Sequence, residues 1–489
     1  MSVSKVLAWT ATAAALVAGC QKPVHFPMDP LPQRVAAARA FDADGDGKGD
    51  FFLYANPGGR THKVGYDTNR DGKPDETVDL DALPLAQCRH LVMILDGVGY
   101  DVVKRHYDAG GLRMFHPPSR VVAPYPTLTD PCLEDMLGYI PCPAFEAEFF
   151  DRRGNRLAGG SSAYLSGRNA PYDRLLHYRA GLLWDAIGYV YPRQVFGKEM
   201  NDAKRLFDRR QTQEVLAYFV SSAGAGTKMG AEGQIDCLRR IEQFVHQVLW
   251  ETRGLTKFTL LSDHGHSYTP AKRIGLEEHL TDRGWRLTKR LGRPKDVVYV
   301  RFGLETYASF ATDSPEALAK DLIAAEGVEI ASFAKGATVV VLGRQGARAV
   351  VHHKAGRFRY EPVSGDPLRL APALATLKPD AEGYRGADEL LAATVTHTYP
   401  APLQRLWRAH FALVENPPDV IVSLEDHFFS GSDSLARTVN VASTHGGLNC
   451  NNSTAFIMST IGELPAFMRS RDIPKNMEKL TGRAFPARK

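Results

Sequence analysis

The sequence predicts an α/β fold built on a parallel sheet, and three observations carry that prediction. Residues 91–95 and 258–261 are continuous apolar runs without alternation, as strands buried on both faces of a parallel sheet require. Residues 215–220 form a third buried run. Ile235, Leu238, Ile241, Val245, Val248 and Leu249 then recur at helical spacing, which marks an amphipathic helix laying its apolar stripe on that sheet.

The first two runs each end in a carboxylate, Asp96 in LDGVG and Asp263 in SDHGH. Ligands of parallel sheets gather at the carboxyl ends of strands, so two parallel strands bring Asp96 and Asp263 to one edge. His264 follows directly. In PYPTLTDPC, Thr129 precedes Pro131, and Leu133, Met136, Leu137 and Ile140 continue at helical spacing, so a helix is expected to begin near Pro131 with Thr129 just before it. A helix N-terminus offers unpaired N–H groups and a positive dipole end to a phosphoryl or sulfuryl group. A threonine hydroxyl is a poor nucleophile unless a metal activates it. Asp96, Asp263 and His264 are the oxygen and nitrogen donors that zinc accepts, with a fourth position for Thr129. His445, in ASTHGGLN, completes the set. Each segment alone is weakly informative; their joint occurrence in this order is much more specific.

In order and wording these segments resemble the alkaline phosphatase superfamily, most closely its type I phosphodiesterase and nucleotide pyrophosphatase branch. The resemblance covers roughly residues 88–270 and 415–460 and rests on Asp96, Thr129 in PTLTDPC, Asp263 with His264, and His445. It implies a three-layer α/β/α sandwich, two zinc ions and a phosphothreonine intermediate on Thr129, one metal being held by Asp96, Thr129, Asp263 and His264. The other metal would take His445 with an Asp and a His from a Tyr-x-x-x-Pro-Asp-x-x-Gly-His-x-x-Gly stretch. Against that stretch YFVSSAGAGTKMG keeps Tyr218, Gly226 and Gly230 but has Ala223 for the Asp and Thr227 for the His. Neither replaces a metal ligand. Asp426 with His427 is a nearby ligand-rich pair, and Lys228 is a cation candidate beside the altered position.

The N-terminus, MSVSKVLAWTATAAALVAGCQKP, reads as a signal peptide. Val17, Ala18, Gly19 and Cys20 resemble a bacterial lipobox, which implies lipidation of Cys20 and a membrane tether in the cell envelope; Gln21 points to the outer membrane. Five cysteines follow, and Cys132 with Cys142 is the pair nearest in sequence for an expected disulfide. The net charge of +5 over 489 residues, without a long basic run, gives no support to nucleic-acid binding.

Residues 21–40 read as a linker. Next, Asp42, Asp44, Asp46 and Asp50 recur 25 residues later as Asp67, Asn69, Asp71 and Asp75. Alternating oxygen ligands around a glycine turn suit calcium, although Leu53 and Val78 at the twelfth positions exclude a full EF-hand. Residues 41–82 are therefore expected to hold two short structural calcium loops. Residues 85–489 are expected to form the α/β domain, with an inserted cap at about 271–415 that limits substrate size, and residues 420–424 and 456–458 as further strands. His266, His353 and His397 have no spacing partner and read as ordinary histidines. The functional expectation is a metal-dependent phosphoric ester hydrolase or phosphotransferase, phosphodiesterase-like, acting through a phospho-enzyme on Thr129 and taking a small-molecule or lipid-headgroup phosphate ester. The alternative is a catalytically inactive relative that retains a ligand-binding pocket.

Overall fold

The computed structural model describes residues 29–431 and 441–487. Cys20 and the signal sequence lie outside the described residues. The chain opens with a five-stranded antiparallel sheet, β1 (Asp29–Val35), β2 (Ala38–Asp42), β3 (Phe51–Ala55), β4 (Thr61–Tyr66) and β5 (Glu76–Asp79). The linker expected over 21–40 is thus overtaken from Asp29 onward, because β1 pairs with β2 and Ala38 and Ala40 are buried there.

Seven strands form the central sheet: β6 (Arg89–Leu95), β7 (Ser119–Val122), β8 (Tyr178–Arg179), β9 (Glu214–Phe219), β10 (Thr256–Ser262), β11 (Thr454–Ser459) and β12 (Phe467–Arg469). Their spatial order is β8-β9-β6-β10-β11-β7-β12. The first four of these run parallel, and β11 runs antiparallel to β10. Five helices matter for the site: α1 (Tyr100–Asp108), α2 (Thr129–Leu137), α3 (Pro192–Arg209), α4 (Ser221–Glu251, broken at Gly230) and α5 (Ile473–Thr481).

Side chains alternate across a strand, so an unbroken apolar run must be covered on both faces. Leu91, Met93, Leu95, Phe258 and Leu260 pack with Val103 of α1, Phe196 of α3 and Ile241 of α4. Val92, Ile94 and Leu261 pack on the other face with Leu133 of α2 and Met477 of α5. Helices on both faces make this a three-layer α/β/α sandwich. The amino-terminal sheet docks on the first face, where the Tyr66 hydroxyl donates to the Leu249 carbonyl at 3.0 Å.

A nine-stranded sheet carries most of the span expected as an insertion. Val420–Leu424, beyond that span in sequence, lies inside this second sheet between Tyr307–Thr312 and Val328–Lys335, and not in the central one. The second sheet reaches the central one through Thr306, whose N–H donates to the His445 carbonyl at 2.7 Å and whose hydroxyl accepts from Gly447 N at 2.8 Å.

The five cysteines among the described residues are free thiols, so the expected Cys132–Cys142 disulfide is not formed. Cys132 is buried in α2, whereas the Cys142 thiol donates to the Asp130 carbonyl at 3.4 Å. Leu260→Ala, at a site with no solvent exposure, should lower the unfolding free energy by about 2–5 kcal/mol in denaturant titration, through lost transfer energy and a residual cavity.

Candidate active site

The register of β6 and β10 aligns Leu95 with Ser262, so the next residues, Asp96 and Asp263, leave the sheet side by side. Both are 1 % exposed and His264 is fully buried. The Nε2 of His264 lies 3.6 Å from Asp96 Oδ1 and 3.4 Å from Asp263 Oδ2. These same three atoms are buried with no hydrogen-bond partner.

Every other polar atom of the triad is engaged. Asp96 Oδ2 accepts from the Tyr218 hydroxyl, and Asp263 Oδ1 accepts from the N–H groups of Gly97 and His264, each at 2.9 Å. His264 Nδ1 lies 3.0 Å from the Gly265 carbonyl, which fixes the proton on Nδ1 and leaves Nε2 as a bare lone pair. Native proteins leave few buried polar atoms unpaired. Three of them within 4.8 Å of one another, two on carboxylates and one on an imidazole, form a donor set for a zinc-class cation.

The electrostatics agree. Burial pushes the Asp96 carboxyl well above its ordinary range, and the neighbouring Asp263 charge pushes it further. Burial also raises Asp263, to about 7, against its backbone hydrogen bonds. Burial lowers His264 to about 3. Two carboxylates facing one another without a cation resist ionisation, and a bound metal would reverse that.

Thr129 is the first residue of α2, so the helix begins two positions before Pro131 and not at it. A proline is tolerated there because the first N–H groups of a helix have no partner within it. Thr129 is partly exposed. One turn on, the Cys132 thiol is raised by burial and then by the charges of Asp263, Asp135 and Asp96, which sets the first turn of α2 against the acidic centre. Asp130 faces elsewhere, accepting from Asn169 Nδ2 at 2.6 Å and the Tyr172 hydroxyl at 2.7 Å.

His445 stacks on His264 at 4.0 Å between ring centroids and an angle of 24°. Its Nδ1 donates to the Thr127 carbonyl at 2.9 Å, and Gly446 N donates to the Thr127 hydroxyl at 2.9 Å. The His445 loop is thereby fastened two residues from Thr129. Its ring neighbours the triad without joining the three converging atoms.

Ala223 and Thr227 are both buried in α4. The residue facing Thr227 is His266, whose Nε2 is 3.5 Å from the Thr227 hydroxyl and whose ring centroid is 5.1 Å from that of His445. His266 is fully buried beside the site and is not an ordinary histidine of the body. Its only sequence signal is the spacing of two from His264. With a methyl at 223, a hydroxyl at 227 and that hydroxyl engaged with His266, the residues do not fit a second metal. Neither expected substitute changes this. The Lys228 ammonium donates to the Val190 carbonyl at 2.6 Å on the surface. Asp426 Oδ1 accepts amide hydrogens from Asn449 at 2.7 Å and Asn452 at 2.8 Å.

In the amino-terminal sheet, Asp42, Asp44 and Asp50 bring carboxylate oxygens within 4.8 Å of one another. Asp42 accepts from Gly45 N and Gly47 N at 2.6 and 2.8 Å, and Asp46 from Lys48 N at 2.8 Å. The second loop repeats this, Asp67 accepting from Gly72 N at 2.6 Å, Asn69 from Asp71 N at 3.0 Å, Asp71 from Lys73 N at 2.9 Å and Asp75 from Thr68 N at 2.9 Å. Both loops join neighbouring antiparallel strands, β2 to β3 and β4 to β5.

No family model matches the chain, and no curated protein matches it at a significant level. Among solved structures, murine ectonucleotide pyrophosphatase/phosphodiesterase 5 aligns at 10% identity over 82% of this chain and 97% of that chain, with a TM-score of 0.44. The human counterpart aligns at 11% identity over 82% and 96%, also with a TM-score of 0.44. An inactive form of the murine protein in complex with AMP aligns at 10% identity over 82% and 97%, with a TM-score of 0.43.

Tyr218→Phe removes only the hydroxyl that holds Asp96 Oδ2. Zinc affinity measured by chelator competition should fall by about 10–100-fold, the usual cost of losing a residue that orients a metal ligand.

Proposed function

We propose that this chain cleaves or transfers a phosphate ester through Thr129, with one zinc-class ion held by Asp96, Asp263 and His264. The observation that carries the reading is the convergence of three buried, unpartnered ligand atoms at the ends of adjacent parallel strands, with His445, which is tied to Thr127 two residues before Thr129, stacked on His264. When bound, the ion supplies positive charge that favours the alkoxide form of a threonine hydroxyl and polarises a phosphoryl oxygen.

The chain's own groups do the rest. Thr129 attacks phosphorus: the bond from its oxygen to phosphorus forms as the bond to the leaving alkoxide breaks. The proton that Thr129 loses goes to the leaving alkoxide; water or an acceptor alcohol then forms its own bond to phosphorus as the Thr129 oxygen–phosphorus bond breaks, and its proton restores the Thr129 hydroxyl. The first N–H groups of α2, unpaired within the helix, orient the equatorial oxygens and meet the charge that develops on them. His445, tied to Thr127, lines the site beside the transferred group. Phosphodiesters are the proposed substrate class because the order of Asp96, Thr129, Asp263, His264 and His445 resembles that of phosphodiesterases. A small molecule or a lipid headgroup would supply the ester.

The second reading, binding without turnover, is favoured by Ala223 and Thr227. The amino-terminal loops are proposed as structural calcium sites, and Cys20 as the lipid attachment that tethers the protein to the bacterial envelope, at the outer membrane. No described helix is long and apolar enough to cross a membrane.

A soluble form beginning after Cys20, loaded with zinc, should release nitrophenol from aryl phosphodiesters, and Thr129→Ala should abolish that release. Zinc binding with no turnover on either diesters or monoesters would favour the binding-only reading. For the loops, Asp50→Asn should weaken calcium binding in calorimetry and reduce the thermal shift that calcium gives the parent protein, since Asp50 is one of the three clustered carboxylates of the first loop.

A further inference from the structure

His266 is a fully buried group beside the proposed centre that the reaction above does not use. Its Nδ1 lies 2.6 Å from the carbonyl of Gly97, so the ring donates there and its proton is fixed. Gly97 is the residue that follows Asp96, and its N–H donates to Asp263 Oδ1. One residue therefore joins both carboxylate loops: the N–H of Gly97 is held by Asp263 and its carbonyl by His266.

The fit around this ring is close on both sides. Gly97 has φ of +66°, and a Cβ there would come within 2.5 Å of His266 Cε1. A Cβ on Gly226 of α4 would lie 3.2 Å from His266 Nε2 and 2.5 Å from Gln234 Nε2. Gln234 Nε2 also donates to the Gly97 carbonyl at 2.8 Å, and Gln234 is held in turn by the Tyr268 hydroxyl at 2.7 Å. The ring is thus seated between the β6 loop, the start of α4 and the His445 ring, where its far nitrogen meets Thr227.

We propose that His266 is a positioning residue whose fixed hydrogen bond to Gly97 holds the two carboxylate loops together around a single metal. The inference rests on the assignment of Asp96, Asp263 and His264 as metal ligands. Losing the His266–Gly97 bond leaves the Gly97 carbonyl to Gln234 alone and loosens the tie between the loop that carries Asp96 and the end of β10 that carries Asp263, so the converging atoms are held less closely to their common focus.

The test is zinc stoichiometry and affinity of the full-length protein in detergent, by elemental analysis after dialysis and by chelator competition. Three variants separate the roles of the two ring nitrogens. His266→Asn keeps an amide donor near the place of Nδ1, His266→Gln carries its amide to the place of Nε2, and His266→Ala keeps neither. The parent protein should hold one zinc per chain, His266→Asn should stay near parental affinity, and His266→Gln and His266→Ala should lose about 10–100-fold. Because Asn and Gln are compared with one another, the test survives an alanine variant that fails to fold. Two zincs in the parent falling to one in His266→Gln or His266→Ala would make His266 a ligand and overturn the proposal. Parental affinity in His266→Gln, or a loss confined to His266→Asn, would overturn it as well. A parent that binds no zinc, behaving as Asp263→Asn does, would instead overturn the ligand assignment beneath it.

Discussion

The site depends on the bond from the Gly97 N–H to Asp263 Oδ1. Parallel pairing of β6 with β10 brings the two strand ends together, but pairing stops at Leu95 and Ser262. Beyond that point the loops would be free to part. They are held because side chains of the β10 end bond successive backbone groups of the β6 end. Ser262 Oγ donates to the Val98 carbonyl at 2.6 Å, His266 to the Gly97 carbonyl, and Gly99 N donates to Tyr268 at 2.8 Å. A loop clamped at successive residues has little freedom left, so the carboxylates of Asp96 and Asp263 are presented at a fixed separation.

That rigidity has an energetic reason. An unpaired buried carboxylate costs several kcal/mol, and two facing one another cost more. Several other buried acids of this chain are compensated. Asp130 takes two donors, Asp426 takes two asparagine amides, and Asp135 takes the Arg408 guanidinium at 2.6 Å. Asp96 and Asp263 each have one oxygen satisfied and one left bare. Asp185 Oδ1 and Glu134 Oε2 are bare as well, but neither belongs to a convergent set of donors; what marks a ligand set among the described residues is three bare atoms that meet.

Much of this was legible in the sequence, for a local reason. An apolar run that ends abruptly in Asp reports both a buried strand and the polarity of its carboxyl end, so Asp96, Asp263 and His264 could be grouped before any pairing was known. The helix after Thr129 was legible from its apolar spacing, but its start was misread by two residues because proline is allowed in the first turn and does not mark its first position. Long-range pairing was not legible. Residues 420–424 resemble any other buried strand, and nothing local says that they pair with residues 307–312 and 328–333. The strands from Asp29 were hidden among prolines and alanines, whose pairing depends on β3 across the turn. His266 was overlooked because a histidine two residues after a ligand has no distinctive spacing; its role follows from a loop that turns it back onto Gly97.

The changes at 223 and 227 gain meaning from that loop. Two small residues one turn apart in a buried stretch of α4 would leave a hole with unpaired groups around it if nothing else filled the space. No such hole is needed here, since an imidazole reaches in from the opposite strand end, bonded at one nitrogen and facing a hydroxyl at the other. Small residues accommodate it: Gly97 and Gly226 stand where any side chain would collide with the ring or its neighbour. What remains beside the triad is a helix N-terminus, whose partial charge of about half a unit acts at short range. On the proposed reading, one divalent ion and that dipole would meet the charge of a phosphodiester, which carries a single negative charge, more readily than that of a doubly charged monoester.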